Sequence, residues 1–226
     1  MTKSVKLRCP FTWKDRHVAL HDRVWYIPQY YNQFETFKFE GWEHPNLFGN
    51  KKPVKIEYCS GNGAWIGSKA ISDPHTNWVA VEMKFERARK IWSKIKREQL
   101  NNLLVVCGEA ETLTEQYIPD DSVSEVSINF PDPWPKQRHA KNRIIKLPFI
   151  KELHRVLKPG GMFHFVTDDA PYSEIMIELS KKFDGFESVH PAPYYVHENS
   201  EYGTSFFEEL WRERGRVIRY HQYRKI

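Results

Sequence analysis

The 226-residue sequence is poor in cysteine: Cys9, Cys59 and Cys107 are its only three, and they lie far apart. An odd count with no metal-ligand spacing excludes a disulfide framework and a zinc site, and the thiols read as free in a reducing cytosol. Long apolar runs are also missing. The longest, Leu103 to Cys107, is far too short to span a bilayer. Met1 to Arg16 contains no apolar stretch of the secretory kind, so no leader is expected there and a cytoplasmic location is. No internal repeat or low-complexity tract stands out. Excess acid is lacking as well: 34 Lys and Arg outweigh 29 Asp and Glu, for a formal charge of +5 and a pI near 9.0. That balance permits a polyanionic partner without requiring one.

Aromatic residues are abundant. They make up 15% of the chain, with eight Trp, although the mean hydropathy is −0.66. Residues 1–50 show no sustained periodicity and read as a basic, aromatic N-terminal arm, with 51–226 as the main domain. In the arm, Lys3, Lys6, Arg8, Lys14, Arg16 and Arg23 alternate with or precede Phe11, Trp13, Trp25, Tyr26, Tyr30, Tyr31, Phe34, Phe37, Phe39 and Trp42. Such a segment either grips nucleic acid or wraps its rings onto the main domain, and the pattern does not decide between them.

The densest chemistry lies in Asn129-Phe130-Pro131-Asp132-Pro133-Trp134-Pro135-Lys136. Val123 to Ile128 alternates as a strand, and prolines at alternate positions then remove backbone donors and fix φ, ending it in a stiff corner. The corner offers a carboxylate, a flat ring and an ammonium. Five cations between Lys136 and Lys146 follow and open what reads as a helix through Leu157, with Pro148 as an alternative first residue. A carboxylate and an aromatic beside cations suit a base flanked by phosphates. The alternative is a simple strand stop followed by a solvated basic face.

Upstream, the strand Val54 to Tyr58 runs into the turn Cys59-Ser60-Gly61-Asn62-Gly63 and a helix over 64–71. Strand, glycine turn and helix N-terminus let backbone approach a ligand closely. A second strand, Asn77 to Glu82, ends in a carboxylate about 20 residues beyond the glycines, the offset at which an acid meets ribose hydroxyls. Leu103 to Cys107 reads as an interior parallel strand leading to Glu109 and Ala110. Met162 to Val166 is a strand ending near Asp168, and 217–224 is a final strand. Helices are expected over 85–99 and 171–183, with a helical turn at 205–211. Alternating strands and helices predict an α/β, doubly wound, mostly parallel sheet with an antiparallel C-terminal edge strand. Ligands then sit beyond the strands' carboxyl ends, where Glu57, Glu82, Glu109, Asp132 and Asp168 fall. These acids come from different strands with no histidine among them, so no metal is expected. A nicotinamide cofactor would want three glycines about its pyrophosphate. Glu57 beside a two-glycine turn better suits the cationic head of S-adenosylmethionine.

From FPDPWPK with the following RHAKNR, the chain is identified as a member of the bacterial tRNA (guanine-N7-)-methyltransferases (TrmB), the resemblance extending over most of 50–226. It implies a class I, Rossmann-like methyltransferase fold, S-adenosylmethionine as donor, and the variable-loop guanosine (position 46 of tRNA) as acceptor. It implies that Glu57, Gly61, Gly63, Glu82, Glu109, Ala110 and Asp132 line the cofactor site, with Asp132 also catalytic. It implies substrate contacts at Lys136, Asp168, Thr204, Ser205 and Glu208, and RNA contacts at Arg138, His139, Lys141, Asn142 and Arg143. Three departures stand out: Cys59 replaces the first glycine of the usual turn, Glu109 replaces an aspartate, and Ser205, or Thr204 one place away, replaces a threonine. The resemblance leaves monomer or homodimer open. Alternatives are a methyltransferase for a protein or small molecule, and a non-catalytic RNA-binding protein on the same fold.

Overall fold

The chain's most apolar runs form the middle of its sheet. The computed structural model describes residues 6–226; residues 1–5, and Lys3 with them, lie outside the described residues. Along the chain come β1 (Ala19–His21), β2 (Val24–Tyr26), β3 (Val54–Tyr58), α1 (Ala64–Ser72), β4 (Asn77–Glu82), α2 (Phe85–Glu98), β5 (Leu103–Cys107) and α3 (Ala110–Tyr117). There follow β6 (Val123–Asn129), α4 (Leu147–Val156), β7 (Leu157–Thr167), α5 (Ala170–Ser180), β8 (Phe186–Ser188), α6 (Phe206–Glu213) and β9 (Arg219–Lys225). Among the described residues the strands form one nine-stranded sheet in the order β1-β2-β5-β4-β3-β6-β7-β9-β8. From β2 to β7 every neighbour is parallel. The direction of winding reverses between β3 and β6, which opens a crevice at their carboxyl ends.

Helices cover both faces. On one, Trp65, Ile66 and Ala70 of α1 join Ala88, Ile91, Trp92 and Ile95, which fall on one face of α2 at helical spacing. On the other, Leu113 and Tyr117 of α3, Phe149, Ile150 and Leu153 of α4, and Tyr172 and Met176 of α5 close over Ile56, Val126 and Phe163. The antiparallel C-terminal strand β9 pairs with β7, and β8 lies outside it at the margin.

Four local readings are corrected. The stretch before residue 50 supplies two strands, β2 running parallel to β5, which its short, aperiodic sequence did not reveal. Helix α3 was not foreseen. The cation run forms a 3-10 turn over Gln137–Asn142, not the opening of a helix. Helix α4 then begins at Leu147, placing Pro148 where a missing N–H costs nothing, and Leu157 belongs to β7 rather than to the helix. The loop between 191 and 203 is held down: Val196 bridges Tyr220, and the Tyr202 ring stacks on Trp65 with centroids 5.5 Å apart.

Most rings of the N-terminal stretch wrap the main domain. Trp25 is fully buried, stacked on Phe39 at 5.3 Å and 4°, and flanked by Phe37 and Tyr117. A cavity of that size refills poorly. Trp25→Ala is expected to lower unfolding free energy by about 3–5 kcal/mol. Denaturant melts checked against this value would exclude the wrap if the loss were below about 1 kcal/mol.

Candidate active site

Two strand ends meet at the switch point, and one hydrogen bond joins them. Glu57 is 3% exposed, and its Oε1 accepts from Asn129 Nδ2 at 2.8 Å. Its Oε2 is buried without a partner among the described residues. Burial pushes the Glu57 carboxyl up to about 7; the Asn129 hydrogen bond opposes the rise and the nearby Glu82 charge adds to it. Next to it the backbone turns sharply. Cys59 has φ +61, Gly61 +56 and Gly63 +70. Cys59, where the resemblance implies a glycine, therefore keeps the left-handed backbone with a side chain in place, at some strain. At Gly63 a Cβ would come within 2.7 Å of Ile91, so the start of α1 is fixed against α2; at Gly61 it would face the Phe207 ring at 3.9 Å.

Glu82, at the end of β4, holds this turn in place. Its Oε2 accepts from Gly61 N at 3.0 Å and its Oε1 from Lys84 N at 2.8 Å. Burial raises its pKa, against the pull of those amides and of Arg87. Glu109 and Ala110 stand where β5 passes into α3, whose first amides have no side-chain cap.

The proline corner is built as expected, and it is strained. Phe130 (φ +48) and Trp134 (φ +43) are both left-handed without being glycine. Arg143 clamps the corner from the far side: its Nε donates to Pro133 O at 2.8 Å and its Nη2 to Trp134 O at 2.9 Å. The structure thus gives this side chain a partner other than the phosphate expected for it. His139 meets the Trp134 ring edge-on at 5.6 Å.

A crevice of about 770 Å³ brings together Glu82, Glu109, Ala110, Asp132, Lys141 and Asn142, with Cys59 at its wall. Glu57, near the end of β3, and Gly61 and Gly63, in the turn that follows, do not line it. Lys136, Arg138 and His139 belong to the segment following the corner and do not line the crevice. Asp168 is ion-paired with Arg216, Thr204 is exposed, and Ser205 caps α6 by accepting from Glu208 N at 3.1 Å. Glu208 is buried, accepting from Tyr220 Oη and from Arg212 Nε. Among the wall residues that sequence reading missed are Tyr30, Arg87 and Phe207; for Phe207 the signal was an aromatic enclosed between Ser205 and Glu208. Trp134 lines the crevice as well.

A family described as "Putative methyltransferase" matches residues 51–220. A protein of Chlamydia muridarum named tRNA (guanine-N(7)-)-methyltransferase is 44% identical, over 96% of this chain and 95% of that one. The chain belongs to the tRNA (guanine-N7-)-methyltransferase family. A member from Cronobacter sakazakii is 36% identical over 76% of this chain and 72% of its own. Solved structures share the methyltransferase fold. The 16S rRNA methyltransferase KamB superposes with TM-score 0.60 at 17% identity, covering 84% of this chain and 95% of that one. A SAM-dependent methyltransferase from Aquifex aeolicus gives 0.55 at 14% identity, covering 79% and 86%. Among the described residues no helix is long and apolar enough to cross a membrane, and no group of three or more His, Cys, Asp or Glu is placed to hold a metal.

The Glu57 environment has a measurable consequence. The folded chain keeps this proton to about pH 7, whereas an unfolded glutamate gives it up near 4.5. The native state therefore binds the extra proton between those values, and stability falls as pH rises through them. Glu57→Gln is expected to flatten the unfolding free energy across this window by roughly 3 kcal/mol. Parallel pH profiles for the two proteins would contradict the buried, unpaired carboxyl.

Proposed function

We propose that this chain transfers the methyl group of S-adenosylmethionine to N7 of the variable-loop guanosine, position 46, of a tRNA, with residues 51–226 as the catalytic unit. The observation that carries the reading is the crevice at the switch point, where Glu82, Glu109 and Asp132 from three strand ends surround one space beside Trp134 and Lys141.

The residues present fit S-adenosylmethionine. Glu57 Oε2 is a buried acceptor without a donor, which suits the ammonium of the methionine portion. Gly61 and Gly63 would let the methionine portion come close to the backbone of the turn. Glu82 has lone pairs beyond the two its amides use, and these would take ribose hydroxyls. Glu109 and the uncapped N–H of Ala110 would meet the adenine edge. When bound, S-adenosylmethionine supplies an electrophilic methyl on a sulfonium sulfur.

Guanine N7 is an unprotonated acceptor on the exposed edge of the base, so no general base need act before transfer. The protein's task is alignment. Asp132, exposed in the crevice on a corner held by prolines and Arg143, orients the base through its amino and imino hydrogens and offsets positive charge growing on the ring. Lys136, Arg138, His139, Lys141 and Asn142 hold the RNA around it. Ser205 and Glu208 act one step removed: the first starts α6 and the second anchors it, so that Phe207 faces the crevice. Asp168, just after β7, and Thr204, just before α6, would meet the substrate. With tRNA as its substrate the protein acts in the cytoplasm.

Labelled donor is expected to methylate an unmodified tRNA transcript with guanosine at the variable-loop position and to spare one lacking it. Asp132→Ala should cut turnover about 100-fold or more while tRNA affinity stays within about threefold. Equal labelling of both transcripts removes the acceptor assignment, and equal losses of turnover and affinity remove the role of Asp132.

A further inference from the structure

The N-terminal stretch buries most of its rings, yet two stand in solvent beside the active crevice. Tyr30 is 80% exposed and Trp13 is 63% exposed. Their centroids are 6.3 Å apart with the planes at 70°, forming an open corner. Arg16 lies over the Trp13 ring at 4.3 Å and ties the two segments together, Nη1 donating to Trp13 O at 2.8 Å and Nη2 to Tyr30 O at 3.2 Å. Tyr30 adopts φ +55, a left-handed backbone unfavourable for a bulky residue. Gln29 and Tyr30 also line the crevice that contains Asp132. An exposed ring pair, kept in a strained conformation and contiguous with a catalytic crevice, is not explained by core packing.

We propose that Trp13 and Tyr30, held by Arg16, form a stacking platform for an unpaired base of the tRNA substrate next to the guanosine that is methylated. This rests on the tRNA reading above and assigns part of the N-terminal stretch to substrate recognition. A guanine whose N7 is presented to a recessed crevice must leave its neighbours, and the bared faces of adjoining bases seek rings or guanidinium planes. Lys14 and Arg16 outnumber Asp15 in the segment that carries Trp13, so the charge there is of the right sign. Stacking is sequence-tolerant, so the platform would add affinity without choosing a base.

The test is binding of an unmodified tRNA transcript to the full chain across a salt series, with Trp13→Ala, Tyr30→Ala, Trp13→Phe and Tyr30→Phe. Each alanine variant is expected to bind roughly 5- to 100-fold more weakly. The salt slope should not change, because stacking releases no counterions. The phenylalanine variants should stay within about threefold, and S-adenosylmethionine affinity by calorimetry should be unaltered in all four. Alanine variants that bind within twofold of the unaltered chain overturn the platform, as does a changed salt slope, a parallel loss of S-adenosylmethionine affinity, or a change of sedimentation showing that the rings join two copies. If the unaltered chain methylates tRNA while the variants bind normally, only the platform is lost; if it methylates no tRNA, the functional reading is lost and the platform with it.

Discussion

The hydrogen bond from Asn129 to Glu57 is the constraint on which the site depends. It spans the switch point between β3 and β6, joining the end of the glycine-turn strand to the end of the proline-corner strand. A buried carboxyl with one oxygen satisfied and the other bare is costly in an empty protein. The cost is met by keeping the proton, which is why burial lifts the group to about 7. A cation arriving at the bare oxygen reverses that preference. The same bond fixes how far Asp132 lies from the turn, because Phe130 follows Asn129 directly and its N–H is tied to Val166 O at 2.8 Å.

Around that bond the site stores strain on both sides. Cys59 precedes the glycines in left-handed backbone, and Phe130 and Trp134 bracket the proline corner in the same region. Non-glycine residues hold such conformations only where the surroundings over-determine them. Here Glu82 holds the first turn through Gly61 N, and Arg143 holds the second through two carbonyls. Pro131, Pro133 and Pro135 have no N–H to donate within the corner, and an arginine supplies donors for two of its carbonyls.

Much of this was legible in the chain. The interior strands were visible because apolar, β-branched runs such as Leu103 to Cys107 have no other stable place in a chain of this length. The strand-end acids were visible because glycine spacing and strand length fix where each falls. What escaped depended on distant partners. Strand β2 is only three residues long and is a strand because β5 lies beside it. Arg143 looked like its basic neighbours, and only the fold shows its guanidinium turned inward onto the corner. Phe207 is a wall residue because Ser205 caps a helix and Glu208 buries beneath it, a geometry that spacing alone does not specify.

The most direct measurement is the proton count on donor binding: calorimetric titration of S-adenosylmethionine into the protein at pH 6.5 in buffers of different ionisation heat. If Glu57 waits protonated for a cation, binding releases a substantial fraction of a proton, and the release vanishes in Glu57→Gln. Binding of normal strength with no proton released by the unaltered chain would contradict the account.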